Sequence, residues 1–435
     1  MLLPSLATIA ILLIGTQARY IKRSNGITIR SSYPIARQAP SEIVRSTATL
    51  PLRKIRSSQG STTHRAALYG PITVPNGTTT SVAALSGGFE LSVQVVLGDS
   101  MVELLVDTGS SDTWAVQRGF TCTDFQTGKP ASESVCGFGP VYTPSSSFKS
   151  IPNETFAIEY QDLETANGIF GTEEVTVAGI TVKQQQIGVV TDAKWEGDGA
   201  TSGLMGLAYP PITSAFKGNH TRAPYDPLFT SMFKAKLIPH NYFSLIIERS
   251  VSGPAGYLSF GGVPDIAFTQ NFTATPIIIT SITGYPQGTD FYTINIDALE
   301  LNGNPVAASG GSALEYIIDS GTTLNYIPSS AAKAINAAYS PPATYSDEQG
   351  AYVVACNATA PAVSVNIAGT AFRINPLDMV MKQTDGICIS AWNDGGSSSS
   401  QDVYILGEVF MKNVVSLFDV GAASMQFAGR EFYAS

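Results

Sequence analysis

Glu103-Leu-Leu-Val-Asp-Thr-Gly-Ser-Ser-Asp-Thr-Trp114 aligns without a gap on Glu315-Tyr-Ile-Ile-Asp-Ser-Gly-Thr-Thr-Leu-Asn-Tyr326. In each copy an apolar run reads as a buried strand, and an Asp stands where the strand gives way to a turn. The following glycine lets the backbone turn tightly and lets another chain come close. A second motif follows each copy. Gly203-Leu-Met-Gly-Leu207 places Gly206 99 residues after Asp107, and Tyr404-Ile-Leu-Gly-Glu408 places Gly407 88 residues after Asp319. Two motifs in the same order at similar spacing imply two related lobes, and the period is far too long for a solenoid.

The repeat carries chemistry. An Asp at a buried strand end is costly unless it is hydrogen-bonded or shared. The hydroxyls three residues on, Ser110 and Thr322, are suited to donate to it. Two such carboxyls meeting on a pseudo-two-fold axis cannot both ionise, so they hold one proton between them. One then serves as general base toward a water, and the other as general acid toward a carbonyl oxygen. Other catalytic plans fail on inventory. The chain has three His, at 64, 220 and 240, and no Gly-x-Ser-x-Gly or His-Glu-x-x-His. Gly197-Asp-Gly-Ala-Thr-Ser-Gly203 is a poor dinucleotide loop, with its third glycine one residue late. A glycosidase also uses two carboxylates but does not require the duplication.

Around these motifs the composition favours short strands and turns. Of 435 residues, 40 are Gly and 25 Pro, and charged residues are only 14%, against roughly 25% in an average protein. Phe89-Glu-Leu-Ser-Val-Gln-Val-Val-Leu97 alternates as a strand should, and similar runs recur to the end. The best helical stretches are 226–235 and 329–339. Charge is uneven. Residues 1–65 hold ten of the 25 Lys and Arg and one of the 34 acids, which makes the head +9 and the remainder −18. So acidic a body repels nucleic acid. The basic head reads as a removable segment that complements it.

Leu6 to Gly15 is a short uncharged apolar run followed by small residues, which suits a secretory signal over 1–18 better than a membrane anchor. The four cysteines, Cys122, Cys136, Cys356 and Cys388, allow three pairings, of which proximity favours Cys122–Cys136 and Cys356–Cys388. No Cys-x-x-Cys spacing points to zinc. Sequons start at Asn76, Asn153, Asn219, Asn271 and Asn357, in keeping with a secreted glycoprotein. The chain divides into a signal (1–18), a basic propeptide (19–70) with a Lys22-Arg23 processing site, a linker that opens the mature protein (71–88), and lobes over 89–265 and 266–435.

The sequence resembles pepsin-type aspartic endopeptidases of fungal secreted kind, made as zymogens. The likeness rests on Val106-Asp-Thr-Gly-Ser-Ser-Asp-Thr-Trp114, Leu204-Met-Gly-Leu-Ala-Tyr-Pro210, Ile318-Asp-Ser-Gly-Thr-Thr323, and Ile405-Leu-Gly-Glu-Val-Phe410 with Phe418-Asp-Val-Gly421. It implies a mostly β, bilobal double barrel with a central cleft under a flap hairpin. Asp107 and Asp319 become the catalytic pair, and Thr108, Gly109, Ser110, Ser320, Gly321 and Thr322 surround the pair and the substrate. Gly206 and Gly407 lie beside the catalytic loops. Trp114 is expected to hydrogen-bond a flap tyrosine, Tyr160.

The flap departs from the family pattern. Tyr160-Gln-Asp-Leu-Glu-Thr-Ala-Asn-Gly168 lacks a glycine at the tip. Asp162 and Glu164 add negative charge there, which predicts tolerance for Lys or Arg beside the scissile bond. Ser202 and Glu408 replace the usual Asp at two positions without touching a catalytic group. Leu50-Pro-Leu-Arg-Lys-Ile-Arg56 resembles the basic segment of the family's propeptides, and Lys54 is the residue expected to block the carboxylates. The resemblance implies protein or peptide substrates, the propeptide as intramolecular inhibitor, no cofactor or metal, no membrane span once the signal is cleaved, and extracellular rather than vacuolar delivery. A monomer is expected, because the site is complete in one chain. The competing expectation is a pepsin-fold binding or inhibitor protein without activity, and the intactness of both Asp-x-Gly-Ser/Thr sites argues against it.

Overall fold

The computed structural model describes residues 39–54, 91–160, 164–218, 221–249, 254–266, 268, 271–279, 289–312, 314–347, 349–383, 386–396 and 404–430, with strand backbones at 33–34, 56–58 and 65–67. The chain is mostly β, and its longest sheet runs through both halves.

In the first half the strands in chain order are β1 (Ala48–Lys54), β2 (Leu91–Leu97), β3 (Ser100–Asp107), β4 (Thr113–Asp124), β5 (Lys149–Glu159), β6 (Thr165–Val177), β7 (Ile180–Trp195), β8 (Gly203–Gly206) and β9 (Ala215–Lys217). β2 alternates buried and partly exposed residues, as a half-covered strand must. β3 is buried on both faces from Val102 to Asp107, which explains its unbroken apolar run. Gly98, at φ +57°, makes the two-residue turn between them. β8 inserts parallel to β3, with Gly206 opposite Asp107, and antiparallel to β4. β6 reaches back to β2 and closes this sheet into a barrel.

The second half opens with helix α1 (Leu228–Lys234), then β10 (Tyr242–Ile247), β11 (Pro254–Phe260) and β12 (Thr273–Pro276). A second core sheet follows from β13 (Thr293–Asn295), β14 (Glu315–Ile318), β15 (Asn325–Ile327), β16 (Trp392–Asp394) and β17 (Tyr404–Leu406), with helix α2 (Ser329–Ala337) packed beside it. β17 lies parallel to β14 and antiparallel to β15, which repeats the β3–β8–β4 arrangement. The one-turn helix α3 (Glu408–Met411) then leads to β18 (Val414–Asp419) and β19 (Ser424–Gly429). α1 and α2 fall where the sequence placed helices. α3 is too short to leave a period in the sequence.

β1 is the element the sequence did not disclose. It lies between β2 and β11, in the sheet that continues through β10, β18 and β19 to β12. Leu50 and Leu52 are fully buried there, so part of the basic head is an interior strand that joins the two halves. Just upstream, Ser41 donates from its N–H and hydroxyl to buried Asp419, at 2.8 and 2.9 Å.

Both disulfides form as proximity favoured, Cys122–Cys136 and Cys356–Cys388, with Cα separations of 5.9 and 5.2 Å. Among the described residues no helix is long and apolar enough to cross a membrane. The signal stretch and the linker at 71–88 lie outside the described residues. The sequon asparagines Asn153, Asn271 and Asn357 are exposed, while Asn76 and Asn219 lie outside the description.

Buried Glu173 ties down the 142–147 loop. It accepts from Tyr142 Oη at 2.7 Å, Ser145 Oγ at 2.9 Å, Glu174 N at 2.9 Å, and Ser147 Oγ. Burial pushes this carboxyl up, but the hydrogen bonds from Ser147, Tyr142, Glu174 and Ser145 outweigh it and hold the group below its usual range. A depressed folded value contributes stability above the unfolded value of about 4.3 and loses it as pH falls through the folded one. Glu173→Gln is therefore expected to cost about 1–3 kcal/mol at neutral pH and progressively less in acid. Urea unfolding at pH 7 and pH 3 checks this, and an equal loss at both values would refute the assignment.

Candidate active site

Asp107 closes β3, and Asp319 follows β14 directly. Both are buried, and their surroundings match. Gly109 N donates to Asp107 Oδ1 at 2.7 Å, and Ser110 Oγ donates to Oδ2. Gly321 N donates to Asp319 Oδ1 at 2.8 Å, and Thr322 Oγ1 donates to Oδ2 at 2.6 Å. The two carboxyls are close enough for the charge of Asp319 to act on Asp107. The repeat read in the sequence thus becomes a two-fold arrangement of donors around two acids.

Thr108 and Ser320 brace the loops across this axis. Thr108 Oγ1 donates to the Ile318 carbonyl at 3.0 Å and accepts from Ser320 N at 2.9 Å. Ser320 Oγ donates to the Val106 carbonyl at 2.9 Å and accepts from Thr108 N at 3.1 Å. Each hydroxyl therefore bridges a backbone acceptor and a backbone donor of the opposite half, which fixes the separation of the acids. The glycines permit this approach. A Cβ on Gly109 would lie 2.6 Å from Asp319 Oδ1, and one on Gly206 would lie 2.5 Å from the Ser111 carbonyl carbon. Gly407 is equally confined by the Thr322 and Leu324 carbonyls.

A small hollow beside the acids is lined by Leu91, Leu105, Val106, Leu204, Ser320 and Gly321 as well as Asp107. Burial is the first cause that raises Asp107 well above the ordinary carboxyl range, and the Asp319 charge is the second. The hydrogen bonds from Ser110 and Gly109 oppose it. Asp319 is also raised by burial, against the bonds from Thr322 and Gly321. The pair therefore keeps a proton at pH values where a solvated Asp has lost it. Such a site can take a proton from water with one carboxyl and give one with the other.

β5 and β6 form a hairpin beside the site, with Glu159 opposite Thr165. Tyr160 extends it, its N–H donating to the Glu164 carbonyl at 2.9 Å. Its ring is fully buried, and Trp114 Nε1 donates to its hydroxyl at 2.9 Å, as the sequence reading expected. Both rings pack edge-on against Trp195, with centroids 5.7 and 5.3 Å away. Asp162 lies outside the described residues. The expectation for Glu164 is corrected. It is buried, and its Oε1 accepts from Glu196 N at 2.9 Å, so it is part of the hairpin's support and not a charge presented to substrate. Alternation along one strand does not reveal this, because the donor lies 32 residues away.

Lys54 ends β1 opposite Leu91, which lines the hollow beside Asp107. The Lys54 side chain lies outside the described residues. Ser202 is buried and its hydroxyl donates to the Pro140 carbonyl at 2.5 Å, while Glu408 lies 3.6 Å from Lys412 Nζ at the start of α3. Sequence reasoning passed over Asp112, which stands inside the quoted motif. Its acidic character was the available signal, and its partners, over a hundred residues on, were not visible. Among the described residues no group of three or more His, Cys, Asp or Glu comes together as a metal site.

A sequence model of eukaryotic aspartyl proteases matches residues 92–430. A probable aspartic-type endopeptidase of Aspergillus fumigatus is 44% identical over 426 residues, covering 94% of each chain. Rhizopuspepsin of Rhizopus chinensis is 27% identical over 327 residues, covering 74% of this chain and 73% of its own. In three dimensions an aspartic proteinase from Irpex lacteus superposes with a TM-score of 0.62 at 22% identity, over 79% of this chain and 95% of that one, a likeness of fold.

Proposed function

The chain belongs to the eukaryotic aspartyl protease family and is an aspartic endopeptidase acting on protein or peptide substrates, and we propose that Asp107 and Asp319 are its catalytic pair. The observation that carries this reading is the equivalence of the two buried carboxyls, each with one backbone and one hydroxyl donor. A water held between them loses a proton to the ionised carboxyl and attacks the peptide carbonyl carbon. The protonated carboxyl gives its proton to the carbonyl oxygen, forming a neutral tetrahedral diol. Collapse of the diol returns a proton to the departing amine, and the pair regains its single-proton state. Gly109 and Gly321 let the substrate backbone lie close, and Tyr160, held by Trp114, stands at the end of the flap hairpin.

The same reading makes the protein a secreted zymogen, with residues 1–18 as signal, 19–70 as propeptide, the mature chain opening at 71–88, and lobes over 89–265 and 266–435. What supports it is the charge division, +9 against −18, and the course of β1 beside the strand that lines the dyad's hollow. Acid protonates body carboxylates and weakens the attraction to the basic head. Leu50 and Leu52 are held by apolar burial that acid leaves intact, so proteolysis completes the release.

The test is to acidify the purified precursor to about pH 3–4 and follow cleavage of denatured globin, with and without a statine-type transition-state analogue, while sequencing the new N-terminus. Activity that appears with loss of the basic head and disappears with the analogue is the expected result. Folded, processed protein inactive across acid pH would overturn the reading in favour of a binding protein on this fold.

A further inference from the structure

The loop that carries Asp107 ends in a third buried carboxylate. Asp112 is fully buried, and both its oxygens accept from Ser214 N at 2.9 Å. Oδ1 also accepts from Tyr225 Oη at 2.9 Å. The Asp112 carbonyl is fixed as well, by Gly206 N at 3.0 Å. A buried carboxylate with this set of donors makes strong, charge-assisted bonds, yet peptide hydrolysis by the dyad uses none of them.

The contacts lead to the flap hairpin by two routes. Ser214 directly precedes β9, which pairs antiparallel with β5 and sets Ala215 opposite Phe156. Ala157 N of β5 donates back to the Ser214 carbonyl at 3.3 Å. Tyr225 packs edge-on against Phe170 of β6, with ring centroids 5.2 Å apart. Phe170 packs on Phe156 at 5.4 Å, and Phe156 lies 6.2 Å from Trp114, the donor to Tyr160. The two routes close a ring from the catalytic loop, through both strands of the hairpin, and back to the tyrosine at its end. Burial, then the Asp112 charge, raises the Tyr225 phenol well above its ordinary range, so it remains a donor.

We propose that Asp112 is a positioning residue that fixes the root of the flap hairpin relative to Asp107, so that it governs how tightly substrate is retained more than how fast the bond is broken. The proposal rests on the hydrolase reading above. Its mechanism is mechanical: two donors, one on each route to the hairpin, converge on one rigid acceptor five residues from the reacting acid.

The test compares the acid-activated full chain with Asp112→Ala, Asp112→Asn and Tyr225→Phe. Asp112→Ala leaves two buried donors without an acceptor and is expected to raise KM about tenfold, to weaken a statine-type analogue about equally, and to leave kcat within about twofold. Asp112→Asn keeps an amide oxygen for Ser214 N and recovers most of the loss. Tyr225→Phe breaks one route and falls between. If the alanine variant does not fold, Tyr225→Phe, which deletes a single oxygen, carries the test. An unchanged KM in folded Tyr225→Phe, or a loss confined to kcat, would overturn the proposal. Analogue affinity is read by calorimetry without turnover. A parent that binds but does not cleave therefore counts against the hydrolase reading, whereas parent and variants that bind equally count against this one.

Discussion

Asp319→Asn is expected to lower kcat by about 10⁴-fold, with the protein still folded. The amide keeps the size of the carboxyl: its oxygen still accepts from Gly321 N, which lies 2.8 Å from Asp319 Oδ1, and its NH2 group takes the place of Oδ2 and donates to Thr322 Oγ1, whose hydroxyl turns to accept. It cannot take a proton from water, so the pair loses its base or acid while its geometry persists. The same substitution has an opposite signature in stability. Burial raises both acids in the folded state. A raised folded value gives stability that is fully present below the unfolded value of about 3.9 and is lost as pH rises through the folded value. At neutral pH the ionising pair therefore weakens the fold, and an uncharged Asn removes that burden. Calorimetry is expected to show Asp319→Asn melting about 2–4 °C above the parent at neutral pH and alongside it near pH 3. An inactive variant that melts lower at both values would mean that Asp319 holds the fold together, and the charge argument would fail. Turnover near the parent's would remove Asp319 from the chemistry altogether.

Gly109→Ala is the second large effect. The added Cβ would lie 2.6 Å from Asp319 Oδ1 and 2.7 Å from its Cγ, well inside contact distance. Asp319 cannot yield easily, because Gly321 N and Thr322 Oγ1 hold both its oxygens and the Thr108–Ser320 brace holds the loops. The methyl group must force the acids apart, and a displacement of about 1 Å costs on the order of 100-fold in rate. We expect kcat/KM to fall by about 100-fold or more, with analogue affinity falling too, because the analogue occupies the space between the acids. Circular dichroism matching the parent would separate this from unfolding. Parent-like turnover in a folded Gly109→Ala protein would show that the loops meet less closely than the geometry requires.

These effects differ in how far the sequence announces them. The pair of buried acids was legible because its pattern is local. An apolar strand, an Asp, a hydroxyl and a glycine occupy adjacent positions, and the motif appears twice with Gly206 and Gly407 in phase. The disulfides were legible for a related reason, since their loops are short enough for proximity to decide the pairing. Trp114 and Tyr160 came through resemblance to a family, and the structure brings their side chains together.

The residues that were misread or passed over depend on partners far along the chain. Glu164 looked like an exposed acid at a hairpin tip, but a backbone N–H from the turn after β7 receives it in the interior. Asp112 stood in plain view within the motif, but the donors that give it a task are Ser214 and Tyr225. The 48–54 segment showed its basic character in sequence and hid its strand, because Leu50 pairs with Leu258, on a strand that no local period connects to it.

The amino-acid sequence by itself determined the two lobes, their β character, the position of each acid and the cross-links, which follow from short motifs, their repetition along the chain, and cysteines 14 and 32 residues apart. Only the tertiary structure decided which donors converge on each carboxyl, how Thr108 and Ser320 lock the acids together, and where the basic strand enters the sheet. Backbone preference and hydrophobic period act between near neighbours and leave a local trace. The pairing of buried polar groups is set by where the folded chain returns, and any of many donors would have satisfied the same side chain in another fold.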